Sequence, residues 1–172
     1  VMVRPGTYDF ETGVVACPLT VPAGCILRGA GRAVTLLVTK QSGSQQVFQL
    51  AAATSEVTDL KITQISTGAT STYSLISGFD GGAVRRCDFV FSPRLDGSEY
   101  ENTCIEAGCG YRGSFLIQEC SGVGAAIATG VYLSMVKVSS QYGSVVRIED
   151  LQSLGFDVPI YLGTSTGTTY VT

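Results

Sequence analysis

Apolar residues along this chain come in short bursts and alternating stretches, and no segment carries the stripe of a long amphipathic helix. The bursts are Val47 to Leu50, Val57 to Thr63, Leu75-Ile76, Val84 to Phe91, Cys104-Ile105, Phe115 to Cys120, Ala126-Ile127, Val131 to Val138, Val145 to Ile148, Leu151 to Phe156 and Ile160 to Leu162. Turn-formers such as Asp80-Gly81-Gly82, Asp96-Gly97-Ser98 and Gly108-Cys109-Gly110 separate them. So many short strands predict an all-β domain. A sandwich, a barrel and a solenoid all satisfy that much.

A repeat separates the three. Apolar residues recur at i, i+3 and i+5: Val57, Leu60 and Ile62; Val84, Cys87 and Phe89; Leu133, Val136 and Val138; Leu151, Leu154 and Phe156. Ile117 and Cys120 fill the first two places of a further triplet, with Gly122 at the third. The step of three breaks strict alternation, as it must where a strand turns a corner and keeps pointing inward. Coils of this kind bury their inner face only by stacking on like neighbours, about 4.8 Å per rung. Inner positions then form columns, and the spacing places Cys87 above Cys120, beside Leu60 and Val136.

The first forty residues add a resemblance. Val3-Arg4-Pro5-Gly6-Thr7-Tyr8-Asp9-Phe10, then Leu19-Thr20-Val21-Pro22-Ala23-Gly24-Cys25-Ile26-Leu27-Arg28-Gly29-Ala30-Gly31-Arg32, then Thr35-Leu36-Leu37, resembles the opening rungs of the pectin-lyase-like superfamily. The resemblance implies a right-handed parallel β-helix, a solenoid of about five to seven rungs. It covers residues 1–40 as opening rungs and leaves 41–172 as stacked rungs of a single domain, read as a piece of a longer chain. Pro5-Gly6 and Pro22 suit turns or edges, since proline cannot donate to a central ladder. Gly29 and Gly31 suit a tight corner; Val34 stands where a dinucleotide fingerprint needs its third glycine.

Composition narrows the function. The 172 residues are 45% hydrophobic and only 15% charged, where an average domain carries roughly 25% charge. A surface this poor in charge is covered by Ser, Thr, Gly and Gln, or by other protein. The net charge of −3, with Arg85-Arg86 as the only adjacent basic pair, argues against nucleic acid as a partner. No apolar run is long enough to insert in a membrane as a helix. The six cysteines (Cys17, Cys25, Cys87, Cys104, Cys109 and Cys120) read as buried free thiols. Zinc wants paired ligands at short spacing; Cys104 and Cys109, five apart beside Gly108 and Gly110, lack a matching second pair, and the chain has no histidine. Without histidine, Ser-His and Cys-His nucleophiles are excluded within this chain.

No catalytic, metal or cofactor site is read from the sequence. Asp59, Arg86 and Glu119 fall at equivalent places on adjacent rungs, with Lys61 and Asp88 alongside. That face is either a carboxylate–cation cluster or the solvated side of the solenoid, the second being the plainer reading. The segment Asp96-Gly97-Ser98-Glu99-Tyr100-Glu101-Asn102 reads as a protruding loop, and Tyr73, Tyr100, Tyr111 and Tyr142 suit stacking on sugars or subunit contact. Proteins similar to the opening rungs include polysaccharide lyases and hydrolases, and trimeric tail spikes, fibres and virion-surface proteins of bacteriophages. The resemblance therefore implies a trimeric virion β-helix that contacts host glycan or coat proteins. A carbohydrate-active enzyme is the alternative, and a cell-surface adhesin a third.

Overall fold

Where the apolar pattern skips a step, the backbone turns a corner through one residue of positive φ. Asp59, Arg86, Glu119 and Asp150 have φ of 59°, 47°, 52° and 52°. The computed structural model describes residues 1–11, 17–40, 46–65, 73–92, 101–124, 132–163 and 166–172. All regular structure in them is strand, arranged in three six-stranded parallel sheets. Sheet 1 orders β1 (Gly6–Glu11), β4 (Thr35–Lys40), β7 (Lys61–Ile65), β10 (Asp88–Ser92), β13 (Ser121–Gly124) and β16 (Gln152–Leu154). Sheet 2 orders β2 (Leu19–Val21), β5 (Gln46–Leu50), β8 (Tyr73–Gly78), β11 (Glu101–Cys109), β14 (Tyr132–Ser140) and β17 (Val158–Leu162). Sheet 3 orders β3 (Ile26–Arg28), β6 (Glu56–Thr58), β9 (Gly82–Arg85), β12 (Ser114–Gln118), β15 (Val145–Glu149) and β18 (Thr168–Val171).

Every strand pairs with the third strand before or after it, so the chain winds as a β-solenoid. Each of the three sheets holds six strands, one from each successive coil. The long bursts Val57 to Thr63 and Val84 to Phe91 are each two strands joined by a corner. Ala126-Ile127 lies outside the described residues.

The left-handed conformation costs an ordinary residue roughly 1–2 kcal/mol, so something must hold each corner. Hydrogen bonds to the next coil do so. The corner N–H groups of Asp59, Arg86 and Glu119 donate to the carbonyls of Arg85, Gln118 and Glu149 at 3.2, 2.9 and 3.0 Å. After the corner, the N–H groups of Asp88, Ser121 and Gln152 donate back to Leu60, Cys87 and Cys120 at 3.1, 3.0 and 2.9 Å. The ladder thus runs through the bend with these polar groups paired.

Lys61, Asp88, Ser121 and Gln152 pair in register, so the residues before them, Leu60, Cys87, Cys120 and Leu151, stand in file. Leu60, Cys87 and Cys120 are essentially inaccessible. A second file on sheet 3 holds Val57, Val84, Ile117 and Ile148, and a third on sheet 1 holds Ile62, Phe89 and Gly122. Gly122 leaves a gap that its neighbours occupy: a Cβ there would sit 2.8 Å from Met135 Sδ and 3.2 Å from the Phe156 ring.

Two alignments read from the sequence are corrected. Val136 does not flank the cysteine file; it stands on sheet 2, in register with Ile105 and Ile160. Leu133, Val136 and Val138 all belong to β14, so their spacing is not that of the sheet 3 to sheet 1 corner. Leu151, Leu154 and Phe156 are also out of phase, for Leu154 points outward and is 70% exposed. The equivalent triplet begins at Ile148 and continues through Leu151 to Ser153.

All six cysteines are free, and four are buried. Cys87 and Cys120 place their sulfurs 3.2 and 3.4 Å from the carbonyls of Arg85 and Gln118. Burial pushes the Cys87 and Cys104 thiols well up, and those of Cys109 and Cys120 to about 11. Alkylation of the native protein at neutral pH is therefore expected to label at most Cys17 and Cys25, and denaturation should expose all six. Peptide mass mapping checks this, and rapid native labelling of Cys87 would contradict the packing.

Candidate functional site

The corner residues point their side chains outward in a charged column. Arg86 grips Asp59 with two hydrogen bonds, Nε to Oδ1 at 2.6 Å and Nη2 to Oδ2 at 3.0 Å. The same Nη2 reaches Thr58 Oγ1 at 3.1 Å, and Arg28 Nε lies 3.5 Å from Asp59 Oδ2. Asp59 is thereby held below the usual carboxylate range, first by the Arg86 hydrogen bond and then by the Arg86 charge, against a partial burial that opposes it.

A carboxyl whose folded value is depressed stabilises the fold above its unfolded value, near 4, and loses that contribution as pH falls through the folded value. Asp59→Asn keeps a residue that tolerates the left-handed corner and removes the charge. Its expected cost is roughly 1 kcal/mol at neutral pH, shrinking to nothing in strong acid. Urea midpoints of both proteins measured from pH 7 to pH 2 check this; a gap that persists at pH 2 would contradict the ion-pair account.

Past Arg86 the column continues with Glu119 and Asp150, whose carboxylates form no ion pair among the described residues. Beside them Arg32 descends from the first coil, where residues 29–34 are an insertion in the corner. Thr35 takes the place of Leu60 there, fully buried, with its Oγ1 accepting from the Ala30 N–H at 2.9 Å. Gly29 is required because a Cβ would collide with the Asp59 carbonyl. Arg32 Nη1 donates to Asp88 Oδ1 and to the Glu119 carbonyl, both at 3.2 Å, and Ser121 Oγ donates to Asp88 Oδ1 at 2.7 Å. Together with Asp150 and Gln152 these groups line a polar groove of about 390 Å³.

Of the five residues singled out by alignment, the structure joins Asp59 to Arg86 and sets Asp88 and Glu119 on one groove. Lys61 lies in register with Asp88 without an ion pair to it. Arg32 was not legible as a partner, because its contacts lie 56 and 87 residues away in sequence. Among the described residues no group of three or more Asp, Glu or Cys is placed to hold a metal ion.

A second surface lies where sheet 2 passes to sheet 3. The turns Gly110–Gly113 and Gln141–Ser144 superpose on successive coils, each closed by a backbone hydrogen bond of 3.0 or 3.1 Å from its last residue to its first. Tyr111 and Tyr142 are the second residues of these turns, 62% and 73% exposed. Phe79, one coil earlier, is 49% exposed. The Arg112 guanidinium sits over the Tyr111 ring, 5.0 Å from its centre. Of the loop expected at 96–102, residues 96–100, with Tyr100, lie outside the described residues, whereas Glu101 and Asn102 open strand β11; the side chain of Tyr73 also lies outside them.

The class defined by this geometry is the parallel β-solenoid. No family model matches the chain, and neither the curated proteins nor the solved structures yield a match.

Proposed function

We propose that this chain is a structural, receptor-contacting β-helix of a bacteriophage virion, of the pectin-lyase-like type. It serves in a tail spike, fibre or capsid-surface protein, assembles as a homotrimer, and touches host glycan or neighbouring coat proteins. The observation that carries this reading is the uninterrupted ladder. Strand-to-strand and corner-to-corner hydrogen bonds join coil after coil, which makes a stiff rod of the kind an appendage needs. The strongest charge pair, Asp59 with Arg86, is spent on holding two coils together rather than left free for chemistry. A surface with few charges also suits burial against partner chains. Native mass measurement tests the proposal: three chains per particle support it, and a clean monomer at micromolar concentration overturns it.

A carbohydrate-active enzyme is the second reading, favoured by the polar groove, where Asp88, Glu119 and Asp150 meet Arg32. Glycosidic cleavage needs two carboxyl groups across a substrate groove. Release of unsaturated or reducing sugars, abolished by Asp88→Asn, would favour it over the structural role.

A further inference from the structure

We infer that the outer face of sheet 1 is the surface on which further copies of this chain lie side by side with it, meeting along Val38, Thr63, Val90, Val123 and Leu154. This rests on the self-assembly in the proposed function and assigns it to one of the three faces.

Those five residues stand in register on successive coils, one above another along the axis. Leu37, Ile62 and Phe89, next to them in their strands, fill the core, so the five point outward. Val38, Thr63 and Val90 are half-buried, and Val123 and Leu154 are 48% and 70% exposed. Thr63 and Val90 are the central residues of the five-residue strands β7 and β10, so the row runs up the middle of the sheet. β10 reads Asp-Phe-Val-Phe-Ser, with apolar residues on both faces. Strands with one solvated face alternate apolar with polar residues, whereas parallel strands apolar on both sides belong to sheets covered on both.

The other two faces differ. Glu106, Lys137 and Tyr161 stand in register on the outside of sheet 2, and Arg85, Gln118 and Glu149 on the outside of sheet 3. Both rows carry charges of both signs, as solvated surface does. The sheet 1 row carries none from Val38 to Leu154; Asp9 stands before it, on the first coil.

Spacing and charge name the occupant. A partner that meets this row at every coil needs side chains rising by about 4.8 Å, the repeat of a parallel sheet along its ladder. Another copy of this sheet has that rise. Symmetric assembly about an axis along the row sets each residue against its own counterpart, so a charge there would face its like. An uncharged row avoids that over five coils, with valine against valine and threonine against threonine.

The test is native mass measurement on the full chain through a dilution series. Val90→Lys with Val123→Lys should raise the concentration for half assembly at least roughly a hundredfold, since it sets like charges against each other. Circular dichroism and a cooperative melt should show the fold retained. Thr20→Lys with Tyr161→Lys, on the outside of sheet 2, should leave the mass unchanged. In a second measurement, Val123→Cys treated with a short bismaleimide should link two chains on a denaturing gel, where the native chain and Tyr161→Cys do not. Assembly that survives the sheet 1 lysines, or is lost equally with the sheet 2 pair, or yields no link through Val123→Cys, would overturn the inference. If the sheet 1 lysine pair fails to fold, the link decides. A native monomer overturns this face and the trimer together. A trimer indifferent to the sheet 1 lysines sinks the face alone, whereas a dimer dissolved by them keeps the face and sinks the threefold assembly.

Discussion

Phe89→Ala is expected to cost about 3–5 kcal/mol, the range for deleting a fully buried aromatic ring. Phe89 is 1% exposed and stands between Ile62 and Gly122 in its file. On one side, then, the neighbour in file has no side chain to lean into the space. Met135 already fills the hollow at Gly122, and a methionine adapts better than most residues, so the low end of the range applies if its thioether swings over. Urea unfolding checks the prediction: the midpoint should fall while the slope stays unchanged. A loss below about 1 kcal/mol would show that the ring is not part of the interior.

Gln64→Met should act in the opposite direction. Gln64 on β7 is fully buried, and neither its amide oxygen nor its nitrogen has a hydrogen-bond partner among the described residues. An unsatisfied buried polar group costs about 1–3 kcal/mol, and removing it while keeping the volume recovers most of that. The variant is expected to be more stable by this amount, seen as a higher urea midpoint and melting temperature. Destabilisation instead would mean that the amide is engaged in the native protein, and Gln64→Leu would then be worse still.

The fold was legible because its signal is apolar and periodic. Leu60, Cys87 and Cys120 could be aligned from spacing alone, and they do stand in one file. The corner residues were alignable too, but their role was not. Solenoid turns often stack asparagine, and this chain has only Asn102. Here Asp59, Arg86, Glu119 and Asp150 occupy the left-handed corners, and charged residues in a sequence look like ordinary solvated surface. Leu154 misled for a related reason: hydrophobicity marks a strand without saying which side it faces, and β16 is the last strand of its sheet.

The candidate sites were less legible, since both depend on contacts between coils. Tyr111 and Tyr142 stood out as aromatics, yet only winding sets them on equivalent turns. Arg112 carries no mark in the sequence, because nothing in Gly-Tyr-Arg-Gly tells which residue takes positive φ. Arg32 belongs to an insertion that reads as a glycine corner, and its partners stand at the two ends of the fourth coil.

Because the coils after the first enter their sheet 3 to sheet 1 corner in the same way, the segment from Cys87 through Glu119 begins and ends at matching points of the winding. Removing it would splice Arg86 to Cys120 across a junction the fold already makes, and repeating it would insert another storey. Length in such a molecule is a free variable, changed by whole units without redesigning what lies above or below. A solenoid built this way can be made longer or shorter by recombination within one gene.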